Sequence, residues 1–347
     1  MKQIVRTCLQ IKSGDIVTIN SWHHALNLAE EIALECYRVG AVPQITIMSD
    51  SLWYRLMSEI PAENLSKTPL HVLKSLDGET ACMSIHGPEE PPDPKRIKLE
   101  NLEAIRKALK PIADREEELK IKILDVYLGK VTPKRAEAYG LNYREWHNMI
   151  LESMRTDYTQ IKAIGKRVAE VLAKGKNVVI TSESGTELKL KIEGRKPFIN
   201  DGVIDREDVE AGRIQSMLPA GTVEIAPIES SAEGKVVFDT PHYTLGMRVE
   251  NMRWTFERGK LVKMEASSGL EELKGYLSKI SGEWDTVGRL IIGLNPAIRP
   301  PCIFDELAKG AISIGIGHNI DIGGQNKASA RYSAVLTKAT LEVDLKY

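Results

Sequence analysis

The chain is poor in cysteine, and the cysteines it has are not arranged for chemistry. Cys8, Cys36, Cys82 and Cys302 are scattered, with no CxxC pair, which argues against a zinc knuckle or a redox dithiol. Buried free thiols are the better reading of such isolated cysteines, and they suit a cytoplasmic protein. No apolar run approaches the roughly 18 residues of a membrane span. The opening stretch, MKQIVRTCLQIKSGD, has no signal-peptide core. Net charge is only −1, so no global field recruits nucleic acid or an anionic membrane surface. The glycine-rich run GIGHNIDIGG lacks a following helix and is no dinucleotide fingerprint. A Lys-Ser/Thr phosphate loop, a nucleophile elbow and an internal repeat are likewise missing.

What is present is enough for a sizeable core. The chain has 347 residues, 42% of them hydrophobic, a size that favours two domains. Abundant Lys, Glu and Ile suit a thermophile. The first half alternates strand and helix. DIVTIN (15–20) predicts a strand, Ala25 to Tyr37 a helix with Leu28, Ile32 and Cys36 inward and Glu30, Glu31 and Glu35 outward, and QITIM (44–48) a second strand. A βαβ unit of this kind implies a parallel sheet. Further strands are expected at Ala81–His86 and Lys122–Tyr127, with helices over Leu99–Lys120, Asn142–Leu151 and Asp157–Lys174. The proline-rich loop GPEEPPDPKR (87–96) reads as a solvated connection, and His71, His86 and His147 as ordinary surface or loop residues. Trp22-His23-His24 follows the first strand, where parallel sheets bind ligands, although a packing aromatic at a helix entry, with one histidine exposed, is the better reading.

After Gly175 the pattern becomes short strands broken by Gly, Pro and Ser, with a hairpin at Arg258-Gly259 and one helix over Gly269–Ile280. The expected architecture is an α/β N-terminal domain with a parallel sheet over 1–165 and a β-rich α+β C-terminal domain over 166–347.

Several motifs occur in a fixed order: IKSGDIVTINSWHHALNLAEEIALECYRVGA, VTPKRAEAYGLNYREW, SGTELKLKI, LPAGTVEIAP, GLNPAIRP, FDELAKGAISIGIG, GGQNKASARYSAVL and TLEVD. Together they resemble the aminopeptidase T family of metallopeptidases, also called leucyl aminopeptidases. The resemblance implies an aminopeptidase T-like fold and a homodimer enclosing a cavity. It also implies a pair of divalent metals held by carboxylates and histidines; a related branch holds one iron for ring-opening oxygenation.

Carried over position by position, that ligand set is missing. The glutamate of the family's PxGEV motif falls on Thr222, and the glutamate before the LxIGxNP run on Arg289. The histidine of the HIAxG strand falls on Ser313, and the closing HxD pair on Arg331 and Ser333. Flanking Gly221, Val223, Pro227, Asn295, Pro296, Gly315, Gly317 and Gly324 stay in register. About three negative charges are thereby exchanged for about two positive ones.

The expectation is an inherited cavity that takes a small anionic compound, carboxylate or phosphate, without a metal cofactor. Arg289 and Arg331 would stand where the metals stood, joined by Thr222, Ser313, Ser333, Glu224, His318 and Tyr243. An equally weighted alternative neutralises the arginines internally with Glu224, Asp305, Glu306 or Asp321. A further alternative is a metallo-aminopeptidase or other hydrolase holding Zn, Mn or Fe on relocated ligands Glu224, Glu306, His318 and Asp321. Residues three apart on a strand point oppositely, so His318 and Asp321 would need a loop to converge. A last alternative is a non-catalytic scaffold partnering an active homologue.

Overall fold

The computed structural model describes residues 1–93, 96–244 and 246–345. Two compact units divide the chain: Met1–Leu151 with Gly202–Pro219, and Glu152–Asp201 with Ala220–Tyr347. This differs from a single cut at 165/166. The segment 202–219 returns to the first unit because it supplies the last strand of that unit's sheet.

That sheet is parallel throughout. Strands β1 (Ile16–Trp22), β2 (Val42–Met48), β3 (Ala81–Ile85), β4 (Lys122–Val126) and β8 (Gln215–Leu218) lie in the order β2-β1-β3-β4-β8. Helices α1 (Leu26–Arg38), α2 (Asp50–Ser58), α3 (Ala62–Leu65), α4 (Leu70–Ser75), α5 (Leu99–Leu119), α6 (Pro133–Tyr139) and α9 (Arg206–Glu210) complete it, and α7 (Tyr143–Met154) contains the unit boundary. Val17, Ile19, Met83, Leu124 and Val126 are fully buried, as expected of strands covered on both faces. Leu76, Cys82, Ile112 and Ile121 form one cluster, with Val72, Leu73 and Ile123 packed against it. Each large aliphatic buried in this way contributes about 1.5–3 kcal/mol. Among the described residues no helix is long and apolar enough to cross a membrane.

In the second unit, β5 (Gly175–Thr181), β6 (Glu187–Lys191), β10 (Glu233–Val237), β13 (Arg253–Glu257), β14 (Lys260–Glu265) and β18 (Thr340–Leu345) form one antiparallel sheet. A second contains β7 (Phe198–Asn200), β9 (Thr222–Ile225), β15 (Val287–Gly293), β16 (Ile312–Gly317) and β17 (Arg331–Leu336). Strands β11 (His242–Thr244) and β12 (Met247–Val249) make a small ribbon. Helices α8 (Tyr158–Lys174) and α10 (Leu270–Leu277) belong to this unit. An aromatic core joins Trp254 edge-on to Phe238 and Phe256 and tilted against Tyr332. The hairpin at Arg258-Gly259 forms, both residues having positive φ. A Cβ on Gly259 would overlap the Glu229 carbonyl at 1.7 Å, so only glycine fits there.

Two expectations need correction. Glu35 does not face out from α1; its side chain is fully buried. Arg6 Nε donates to it at 2.6 Å and Arg38 Nη1 at 3.1 Å, so the charge goes inside with two counter-charges. The proline-rich loop is also partly structural, since its Glu89 carbonyl accepts from Thr132 Oγ1 and its Glu89 N–H donates to Asp50. Pro94 and Lys95 of that loop lie outside the described residues.

The hydrogen bond from Arg6 holds the Glu35 carboxyl below its usual pKa against the opposing effect of burial. A depressed carboxylate adds stability above its unfolded pKa and loses it as pH falls through the folded value. Glu35→Gln is therefore expected to lower the thermal midpoint at neutral pH, with the deficit closing in acid. Unfolding midpoints measured across pH for both proteins check this; a deficit independent of pH contradicts it.

Candidate active-site face

Register alone gathers the candidate residues. Arg289 lies opposite Gly315, which lies opposite Ser333; Ile291 lies opposite both Ser313 and Glu224; Gly293 opposes Thr222, and Gly317 opposes Arg331. Opposed residues of antiparallel strands share a face, as do alternate residues along a strand. Thr222, Glu224, Arg289, Ser313, Arg331 and Ser333 therefore stand on one face of the β17-β16-β15-β9-β7 sheet.

Arg289 dominates that face. It sits in a strand whose residues are almost all buried, and is itself 2% exposed. Gly315 gives it room, because a Cβ there would fall 2.7 Å from Ser333 Oγ and 3.0 Å from Arg289 Cβ. The guanidinium bridges two acids. Nη1 donates to Glu224 Oε2 at 2.6 Å, and Nη2 donates to the Asp321 carboxylate. A buried guanidinium without such partners would carry a large desolvation cost. Three buried polar atoms on the face have no hydrogen-bond partner: Arg289 Nε, Thr222 Oγ1 and Ser313 Oγ.

Asp321 and His318 reach this point through a turn that the strand argument could not foresee. Buried Asn326 donates to the carbonyls of Val287 and Gly317, at 3.0 and 3.1 Å. Buried Asn319 donates to Glu229 and Gly288 and accepts from the Asn326 N–H. These asparagines fix the loop so that His318 Nε2 comes within 3.6 Å of Asp321 Oδ1. His318 Nδ1 lies 3.1 Å from the Ala328 carbonyl, and a carbonyl only accepts, so the ring proton is on Nδ1. Asn319 and Glu229 lie outside the ordered motifs quoted above, and Asn326, inside GGQNKASARYSAVL, is not a residue type that the resemblance makes a ligand.

Arg331, with 41% of its side chain exposed, lies 3.6 Å from Glu224 Oε2. It also lines a cavity of about 250 Å³ with Ser333, Tyr243, His242, Asp305 and Glu306. Burial raises Glu306 above the usual carboxylate range, opposed by Arg331. Burial likewise pushes Asp305 up to about 7, although Cys302 N donates to it at 2.5 Å and Thr240 Oγ1 at 3.2 Å. His242, edge-on to Tyr332, is pushed by burial down to about 4. Of the candidates from sequence, Arg331, Ser333, Glu306 and Tyr243 border this cavity. Arg289, Glu224, Asp321 and His318 form the ion cluster beside Arg331, and Thr222 and Ser313 are sealed on the same face.

A family model described as thermophilic metalloprotease (M29) matches residues 2–283. The chain belongs to the M29 family. The matched range stops before β15, so the strands bearing Arg289, Ser313, Arg331 and Ser333 lie beyond it. Among solved structures, wild-type AmpT from Thermus thermophilus is 21% identical with a TM-score of 0.73, over 99% of this chain and 93% of that one. The 2,5-dihydroxypyridine dioxygenase from Pseudomonas putida KT2440 is 13% identical with a TM-score of 0.60, over 98% and 90%. These likenesses show that the chain has the aminopeptidase T-like fold. No curated protein matches the chain.

Glu224→Ala is expected to cost about 3 kcal/mol, the low end for breaking a buried ion pair, because Asp321 still holds the other nitrogen. Replacing the pair together, Arg289→Met with Glu224→Leu, should recover most of that loss. Denaturant unfolding of the three variants checks it, and a double variant weaker than Glu224→Ala would contradict it.

Proposed function

We propose that this M29-family protein binds a small anionic compound, a carboxylate or a phosphate, in the C-terminal cavity without a metal. The observation that carries the reading is that Arg289 engages both Glu224 and Asp321, while Arg331 on the same face reaches the cavity wall. Two dications would need several anionic oxygens and neutral imidazoles free to converge. Here the two nearest carboxylates are tied to a permanent cation. Among the described residues, no group of three or more His, Cys, Asp or Glu side chains is arranged to hold a metal ion. The residues present do not fit the family's metal pair, and no step is derived through one.

What remains at the cavity suits an anion. Arg331 supplies a fork for an oxyanion, and Ser333 and Tyr243 line the same cavity. Asp305, pushed up to about 7 by burial, donates a proton to an anion in its neutral form, and burial raises Glu306 in the same direction. A homodimer and a cytoplasmic location belong to the same proposal.

Thermal shift with inorganic phosphate and with succinate tests it. Stabilisation is expected from at least one of them, and Arg331→Ala should abolish it. Succinate affinity should fall as pH rises from about 6 to about 8, because Asp305 ionises over that range. No stabilisation by either anion, or an Arg331→Ala response equal to wild type, would overturn the reading.

His318 favours a second reading. With its proton on Nδ1, Nε2 is an electron-pair donor facing Asp321, the disposition of a metal-binding imidazole tied to a carbonyl. Glu224, Glu306, His318 and Asp321 would then be relocated ligands of a hydrolase. Elemental analysis decides between the two: stoichiometric Zn, Mn or Fe supports the hydrolase, and a metal-poor protein supports the anion site.

A further inference from the structure

The N-terminal parallel sheet carries a second cluster, at the edge where β1, β3 and β4 end. Asp125 of β4 accepts from His86 Nε2 at 2.6 Å and from Gln215 Nε2 at 2.9 Å. Both of its oxygens are therefore engaged. A carboxylate only accepts, so His86 carries a proton on Nε2 and turns Nδ1 to other work. Tyr127 stacks on the imidazole, with centroids 5.0 Å apart and planes 16° apart.

Lys130 completes the group. Its Nζ lies 4.5 Å from the centre of the Tyr127 ring. Among the described residues it has neither an ion pair nor a hydrogen bond. Lys130 and Arg135 both cross Gly87, the residue after His86; a Cβ there would fall 3.1 Å from Lys130 Cε and 3.2 Å from Arg135 Nη2. Arg135, 4% exposed, donates to the Pro88 carbonyl from Nε and Nη2 and so fixes that loop. From the exit of β1, His24 Nε2 donates to the Gly129 carbonyl at 2.9 Å, and its buried Nδ1 has no partner.

Lys130 and Arg135 thus crowd the same residue, Gly87; the carboxylate near Lys130 is Asp125, already bonded twice, and the one near Arg135 is Asp50. Burial, reinforced by the Arg135 charge, lowers the Lys130 ammonium to about 8. An arriving negative charge would relieve that cost. The carboxyl ends of parallel strands are also where open α/β sheets bind ligands.

We propose that this edge is a second ligand site, which takes a phosphoryl or carboxylate oxyanion on Lys130 and on His86 held by Asp125. Lys130 provides the charge, and His86 in its imidazolium form donates from Nδ1. Arg135 is a positioning residue, holding the loop over which Lys130 passes. The site is independent of the cavity bordered by Arg331.

The test therefore uses the full chain carrying Arg331→Ala, so that the C-terminal cavity is silenced. Calorimetric titration with inorganic phosphate and, separately, acetate should still detect binding of at least one, and the stronger arm identifies the group. Adding Lys130→Met should weaken that binding by about tenfold or more, with the circular dichroism unchanged and the ligand-free melting point no lower. Should that variant not fold, the His86 ring-proton resonance of the Arg331→Ala protein, assigned by its loss in His86→Gln, should move on adding the same anion. Absence of binding to both anions, equal binding with and without Lys130, or a stationary His86 resonance would overturn the proposal.

Discussion

A buried guanidinium held between two acids governs the C-terminal unit. Arg289 is carried to the middle of an apolar strand, and it is tolerable there only because Glu224 and Asp321 meet it. Gly315 is needed to let its stem pass, and buried Asn319 and Asn326 are needed to bring Asp321 to it. Removing either acid leaves the buried guanidinium only half compensated. The neighbouring Arg331 is then the cation that borders open space, and the chemistry available to a ligand follows from that division of labour.

Under the proposed reading, the same arrangement lets an M29-family chain keep its fold with a different ligand on the site face. The sheet, its register and its flanking glycines and prolines do not depend on which ligand the face holds. On the reading proposed above, a guanidinium bridging two carboxylates does the work of a bridging cation, with fixed charge and directional donors in place of a dication. In our reading, this keeps the acids of the face neutralised while the ligand preference is inverted.

Much of this was legible in the chain. The alternation of strands and helices through Cys36 and Met48, and the switch to short strands after Gly175, foretold a parallel sheet followed by a β-rich unit. Motif order grouped Arg289, Ser333 and Thr222 at the lining of one expected cavity; their common sheet face is seen in the strand register. What was hidden depended on distant partners. Glu35 reads as a surface residue until Arg6 is seen beside it. His86 reads as a loop histidine until Asp125, 39 residues later, bonds to it. The short strand Gln215–Leu218 gave no signal because its neighbour in the sheet, β4, is far away in sequence. The convergence of His318 with Asp321 was argued against by strand geometry and is achieved by a turn.

The central claim is that a guanidinium, and no dication, fills the space between Glu224 and Asp321. The most direct measurement is an anomalous-difference map at the zinc absorption edge, from crystals soaked in zinc. The account predicts no peak among Glu224, Asp321 and His318, with Arg289 in place. A fully occupied peak there, with Arg289 displaced, would contradict it.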